Sequence, residues 1–401
     1  MVEKILTTHV GSLPRTPELI EAGKRLSCGE MTQAEFGEVL QEAVADVVAR
    51  QEAIGIDIVN DGEYGHIMTE EVDYGAWWHY SFARLGGLSQ SVSANWMEDK
   101  TEYVSEPKLR LTSFQNRRDW RRFEDAYFNP TTGILNELAP RPNPEITGPV
   151  TYTGASAARK DVDLLTTAVG AAEGKTGFVA ALSPGAAARL TNRYYENEVD
   201  QLNAFADAMA EEYRIITEAG HIVQLDAPDM AEAWDQMNPE PSVADFQEWL
   251  QLRVDAANRA LEGIDPDLVR LHICWGSWHG PHTTDIPLAD IVDQILQVNA
   301  SQLSFEASSP RHAHEWKVWK GGRLPGGKKI VPGVVCHSTN IVEHPELVAE
   351  RIVRFAEVVG PENVIASTDC GLGGRIHPDI AWAKLESLTE GAQIASKQIF
   401  G

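Results

Sequence analysis

The chain has 401 residues, 43% hydrophobic and 23% charged, with a formal charge of −25. That length suffices for one large core, and the composition is ordinary for a globular protein. So acidic a surface repels nucleic acid and anionic membranes, which leaves small molecules as the expected partners. No apolar run reaches the roughly 18 residues that a spanning helix needs. The start, MVEKILTTHVGS, lacks the basic and long apolar regions of a signal peptide. A cytoplasmic location is expected, where Cys28, Cys274, Cys336 and Cys370 stay reduced and form no disulfide framework.

In chain order, strand patterns occur at residues 5–12, 56–61, 146–152, 221–226, 269–274, 302–307, 330–337 and 363–370. Amphipathic helical patterns lie between them at 32–55, 196–220, 245–263 and 344–360. The alternation predicts a parallel sheet, and eight strands predict an α/β fold closed into a (β/α)8 TIM barrel. An open doubly wound sheet is the alternative, but no G-x-G-x-x-G turn follows the first strand. Residues 66–140 break the rhythm after strand two, with Trp77, Trp78, Trp96, Trp120, Arg117, Arg118, Arg121 and Arg122. They read as a long insertion packed over the barrel mouth. The run FVAALSPGAAARL (178–190) reads as a smaller excursion that turns at Pro184–Gly185. With no low-complexity linker, one domain spanning 1–401 is expected.

Chemistry in such barrels collects at the C-terminal strand ends. Those ends carry Gly11 and Ser12, then Glu63, Asp226, His272 with Cys274, Glu306, His337, and Asp369 with Cys370. In VRLHICWGS, His272 and Cys274 stand two apart on a strand and so share a face. His272, Cys274 and Cys370 make a soft N/S/S donor set, with Glu306 one strand along as a hard fourth donor; zinc accepts that mixture. The spacing is not a zinc finger's, so the set has meaning only if the barrel brings distant strand ends together. Against this stands the ordinary fate of a buried cysteine as a small core residue. Cys28 and Cys336 are read that way, and Cys336 and His337, adjacent on a strand, are expected on opposite faces. Cys274 and Cys370 instead precede the glycine-bearing turns WGS and GLGG, where functional residues gather.

The runs TTHVGSLPR, NDGEYG, ITGPVT, QLDAPD, LHICWGS, SFEAS, PGVVCHS and STDCGLGG occur in this order. They resemble the C-terminal catalytic barrel of cobalamin-independent methionine synthase and its single-barrel relatives, a branch that includes the epoxyalkane:coenzyme M transferases. The resemblance spans nearly the whole chain and is weakest over 66–140. It implies Zn2+ held by His272, Cys274, Glu306 and Cys370. It places Gly11 and Ser12 on the carboxylate of a thiol substrate, Glu63 and Asp226 on its ammonium group, and His337 where a proton moves near the leaving group. The expected activity is thiol S-alkyl transfer, with methyl transfer to homocysteine or a related thiol foremost. A free thiol has a pKa near 8.5, and coordination to zinc leaves it ionised and still nucleophilic.

Two departures bear on the alkyl donor. Folate-using members continue from G-P-V-T to a tryptophan against which the pterin packs, and GPVTYTGAS has Ala155 there. Of their arginine–serine pair before that strand, only Arg141 has a counterpart nearby. The residues thus leave a folate donor unsupported. Addition of a thiol to an epoxide is the nearest alternative reading, although Glu63 and Asp226 would repel a sulfonate thiol such as coenzyme M. A zinc hydrolase with water as nucleophile, a metal-free decarboxylase and a non-catalytic protein with structural zinc are the others. A homo-oligomer stays open, without any coiled-coil pattern. His279, His282, His312 and His314 follow site strands and either line the pocket or cap loops; His9 has the better claim to the pocket. Trp275 and Trp278 read as aromatic packing, and NRRDWRR as arginines paired with nearby carboxylates.

Overall fold

The computed structural model describes residues 4–70, 76–95, 108–134, 142–170 and 176–401. Its strands are β1 (Leu6–Thr7), β2 (Leu85–Asn95), β3 (Pro142–Tyr152), β4 (Phe178–Leu182), β5 (Ile222–Asp226), β6 (Val269–His272), β7 (Gln302–Glu306), β8 (Lys329–Val335) and β9 (Ile365–Thr368). Seven form one parallel sheet in the order β1-β9-β8-β7-β6-β5-β4. The segment 56–60 fills the gap between its two edges. Asp57 and Ile58 donate their N–H groups to Thr7 O at 3.1 and 3.0 Å, and Phe178 N donates to Val59 O at 2.9 Å. A parallel bridge joins Asn60 to Phe178. The expected eight-position barrel is present.

One strand assignment is corrected. Residues 146–152 do not enter the barrel; they belong to β3, which pairs antiparallel with β2 in a separate two-stranded sheet. The third barrel position belongs to β4, inside the run expected to be an excursion. Burial separates the two: 146–152 alternates buried Ile146 and Val150 with exposed Thr147, Pro149 and Thr151, as a strand with one open face does, whereas FVAAL is buried along its whole length, as a strand covered on both faces must be. The stretch between barrel positions two and three therefore includes the β2–β3 hairpin and the helix Ala155–Val169. Of the residues singled out above, Trp96, Arg141 and the Trp77 side chain lie outside the described residues.

The helices form where their ends are written. Gln33–Ala53 opens on a reciprocal capping box between Thr32 and Glu35. The patterns at 196–220, 245–263 and 344–360 fold as Glu198–Glu218, Val243–Ala260 and Pro345–Val359. Among the described residues, no helix is long and apolar enough to cross a membrane.

Inside the barrel, below the rim, the filling is unexpectedly polar. Arg270 is fully buried, donates to Gln302 Oε1 at 2.9 Å and to Gln224 Oε1 at 3.2 Å, and lies 4.6 Å from the Phe178 ring centroid. Burial lowers its pKa to about 9. His9, expected at the pocket, belongs to this layer. Its Nε2 meets Gln51 Oε1 at 2.8 Å and its Nδ1 accepts from Gly11 N at 3.2 Å, so both ring nitrogens are engaged. Burial holds it neutral, with a pKa of about 4.

Candidate active site

The parallel register sets Leu182, Asp226, His272 and Ser304 side by side across β4, β5, β6 and β7. Lateral neighbours in a parallel sheet share a level, so the chain delivers an acid, an imidazole and a hydroxyl to one row. His272 uses that row: its Nδ1 lies 3.0 Å from Ser304 Oγ. A proton on Nδ1 donated to Ser304 leaves Nε2 with its lone pair exposed to the centre, the arrangement metal-binding histidines share. That Nε2 is buried and has no hydrogen-bond partner.

His272, Cys274 and Cys370 converge, with ligand atoms all within 4.8 Å of one another. The two sulfurs are 4.0 Å apart. Two thiolates on one tetrahedral zinc, each bonded at ~2.3 Å, would stand roughly 3.8 Å apart. The Cys274 contact pulls the Cys370 thiol well below its ordinary pKa, and the Arg375 guanidinium adds to this. The same contact pushes Cys274 up. The pair thus shares one proton where a cation would let both ionise. An orphaned imidazole nitrogen, two sulfurs at ligand separation and thiolate character together fit Zn2+. Glu306 is not within that tight triplet. Its Oε1 accepts from Trp275 N at 3.1 Å, and burial raises its pKa to about 7.

Beside the sulfurs lies an acidic wall. Burial first, then the neighbouring Asp226 charge, raises Glu63 well above the carboxylate range. Asp226 rises to about 8, chiefly by burial, although Gln224 Nε2 donates to it at 2.9 Å. Glu63 has φ 58, and Gly11 has φ +135. A Cβ on Gly11 would collide with Glu63 Oε1, so glycine there lets the carboxylate lie against the first strand's end. The next residue, Ser12, accepts from Leu372 N and Gly373 N at 2.9 and 2.8 Å through its carbonyl. The turn that follows Cys370 is thereby stitched to Gly11–Ser12.

His337 is 2% exposed, and neither ring nitrogen has a hydrogen-bond partner. Burial drives its pKa down to about 3, so it is a neutral imidazole. It does not point away from Cys336 as strand alternation would require: Cys336, His337 and Asp369 place ligand atoms within 4.8 Å of one another. The strand ends at Val335, so alternation no longer governs these residues. This second group is not free for a metal. Asp369 already accepts from Ala307 N (2.7 Å), Ser308 N (3.0 Å), Ser308 Oγ (2.5 Å) and Ser309 N (2.9 Å). It braces the loop that leaves Glu306.

The loop histidines organise loops. His312 bridges Glu315 and Asp285 at 2.9 and 3.1 Å and stacks on Trp275, ring centroids 4.2 Å apart. His282 contacts Asp285 at 3.3 Å, and His314 is exposed. Three of the four arginines of NRRDWRR pair with acids, Arg117 with Glu232 and Asp235, Arg118 with Glu240 and Arg121 with Glu124, while Arg122 donates to Thr283 Oγ1 and lies over the Phe123 ring. Sequence reasoning passed over Ser304, although it precedes Glu306 by two positions and so shares its inward face. Arg375, whose charge acts on Cys370, Asp226 and His337, was also missed. No periodicity marks a loop arginine.

A family profile described as "Cobalamin-independent synthase, Catalytic domain" matches residues 5–188 and 175–393. The methionine synthase of Saccharolobus solfataricus is 24% identical over 394 residues, covering 98% of this chain and 95% of that protein. The 5-methyltetrahydropteroyltriglutamate–homocysteine methyltransferase of Nitratidesulfovibrio vulgaris is 25% identical over 394 residues, 96% of this chain but 41% of that protein. The chain thus spans less than half the length of that relative. Among solved structures, a B12-independent methionine synthase from a Shewanella species superposes with a TM-score of 0.67 at 19% identity, covering 99% of both chains. Another from Listeria monocytogenes gives 0.65 at 17% identity, again over 99% of both chains. These likenesses show a common fold. The profile match over nearly the entire chain establishes that this protein belongs to the cobalamin-independent synthase catalytic-domain family.

Proposed function

We propose that this protein is a zinc-dependent methyltransferase whose acceptor is the thiol of homocysteine or a closely related amino thiol. The observation that carries the reading is the convergence of His272 Nε2 with two cysteine sulfurs beside two buried acids. His272, Cys274 and Cys370 would hold Zn2+, with Glu306 as the fourth, exchangeable ligand. Zinc there would supply the charge that ionises a guest thiol at neutral pH. The methionine synthases among its relatives agree with this activity.

The remaining work falls to the chain's own side chains. Burial raises both Glu63 and Asp226, and the Asp226 charge raises Glu63 further, despite the charges of Arg15, Arg270 and Arg375 nearby, so a guest ammonium would favour their ionised forms. Ser12 would receive the guest carboxylate, the Gly11 N–H expected beside it being taken up by His9 Nδ1. This fastening points the thiol towards the sulfur pair and turns a bimolecular encounter into a positioned one. His337, whose ring nitrogens have no hydrogen-bond partner, would relay the proton given up by the guest thiol to the departing group of the donor. Ala155, where folate-using members place the tryptophan against which the pterin packs, begins a helix, and the preceding Gly154 packs against the Arg84 side chain. This position gives a folate donor no support, so other methyl-bearing electrophiles stand beside it as candidates.

The test is to incubate zinc-loaded protein with homocysteine, coenzyme M and cysteine against a panel of methyl donors that includes methyltetrahydrofolate. Mass spectrometry then identifies the thioether formed. Methionine from homocysteine is the expected product. Thioether from coenzyme M alone, or turnover without any thiol, would overturn the reading.

A further inference from the structure

Asp119 sits in the short helix Arg118–Arg122, within the stretch expected to be an insertion, and is remote in sequence from every residue assigned above. It is 2% exposed. Four donors fill its carboxylate. Oδ1 accepts from Thr283 N at 2.8 Å and Thr283 Oγ1 at 2.7 Å. Oδ2 accepts from His282 N at 3.0 Å and Tyr127 OH at 2.7 Å. Three of these donors belong to the loop that leaves Cys274.

The near end of that loop touches the sulfur site itself. Gly276 N lies 3.2 Å from Cys274 Sγ and donates to it, while Trp275 N donates to Glu306 Oε1 at 3.1 Å. Between the two ends, Trp278 donates its indole N–H to Tyr127 OH at 3.1 Å, stacks on His282 and meets Trp120 edge-on. His282 is held at φ 52, a region that non-glycine residues seldom occupy. It stays there because Asp119 holds its N–H. Asp119 is itself anchored, its N–H donating to Asp235 Oδ1 at 3.0 Å. Asp235 and Glu232 pair with the buried Arg117, and Glu232 N donates to Cys274 O at 3.2 Å. A carboxylate with every acceptor position filled in a buried site is stiff, and so is what it holds.

We propose that Asp119 is a positioning residue for the metal site: by fixing residues 282–283 it keeps the Gly276 N–H on the Cys274 sulfur. An N–H donated to a thiolate withdraws charge from it and sets how strongly it donates to a cation. The stretch around Asp119 then serves as a fixed clamp on the metal strand's loop. The inference rests on the reading of His272, Cys274 and Cys370 as metal ligands.

The experiment uses the full chain loaded with Co2+ as a zinc surrogate. Affinity is measured by competition with a chelator, and the sulfur-to-cobalt absorption band is recorded for wild type, D119A, D119N, T283V and R121A. D119A, which acts on the ligand only through residues 282–283, is expected to bind up to ~10-fold more weakly, the low end of the cost of losing a partner that touches a ligand directly, with a displaced band. D119N keeps one acceptor oxygen and T283V removes a single donor. Both are expected to lose less than D119A does, with the band displaced in the same direction. Arg121, exposed and paired with Glu124, reports on general damage to the helix, and R121A should match wild type. Should D119A fail to fold, D119N and T283V carry the test. Unchanged affinity and band in both, or an equal loss in R121A, would overturn the inference. A wild-type protein that gives no thiolate band with Co2+ would instead overturn the metal reading on which it rests.

Discussion

Cys274 Sγ and Cys370 Sγ stand 4.0 Å apart although 96 residues separate them in the chain. Strands β6 and β9 are not neighbours; β7 and β8 lie between them. The sulfurs therefore meet across the barrel mouth, which only a strongly curled sheet allows. Cys370→Ser should abolish stoichiometric zinc, as measured by metal analysis after dialysis. Loss of an outer partner alone costs ~10–100-fold in affinity, so loss of this ligand should exceed about 100-fold in both affinity and turnover.

Ser304→Ala should weaken zinc binding by ~10–100-fold without removing a ligand, because the His272 tautomer is then no longer held by an acceptor at Nδ1. Ser304→Thr keeps the hydroxyl and should restore most of it. Equal affinity in the alanine and wild-type proteins would show that Ser304 does not orient His272.

Asp226 carries a signed pH effect. Its folded pKa is about 8 against an ordinary 3.8, so the folded state binds the extra proton between those values. Stability contributed by that proton is present below pH ~4 and lost as pH rises towards 8. Asp226→Asn should therefore stabilise the ligand-free protein in denaturant unfolding at pH 8 and change it little at pH 4. The same change should weaken homocysteine binding by ~10–100-fold, the usual worth of a hydrogen bond to a charged group. Gain of stability with unchanged binding would remove Asp226 from the ammonium site.

Lys384 is fully buried and pairs with Glu343 at 2.9 Å, while Glu343 Oε1 accepts from Cys336 N at 2.8 Å. Lys384→Met leaves a buried carboxylate alone and should cost about 3–5 kcal/mol. The pair Lys384→Met with Glu343→Met should recover much of that loss in thermal unfolding. Because the carboxylate holds the backbone just before His337, the single variant should lower turnover as well.

Much of the candidate site was legible because unusual residues at strand ends are a local signal. His272, Cys274, Glu306, His337 and Cys370 all stand within two residues beyond a strand's end or in its last position. The third barrel strand was misplaced for an equally local reason. FVAAL has no alternation to mark it as a strand, whereas 146–152 alternates, which marks a strand with one open face and not one covered on both. The relation of Cys336 to His337 was misread because strand alternation was extended past Val335, where the strand stops.

Helix termini, burial faces and donor chemistry depend on residues a few positions apart, so the amino-acid order alone set them: a capping box at Thr32–Glu35, two thiols and an imidazole before glycine turns. Lateral register is different. Which residue stands beside His272, which sulfur faces Cys274 and which carboxylate seizes the loop at Thr283 are decided by strand pairing and loop closure over scores of residues. Such pairings trade chain entropy against burial summed over the entire core. No short stretch contains that sum, and the folded barrel alone expresses it.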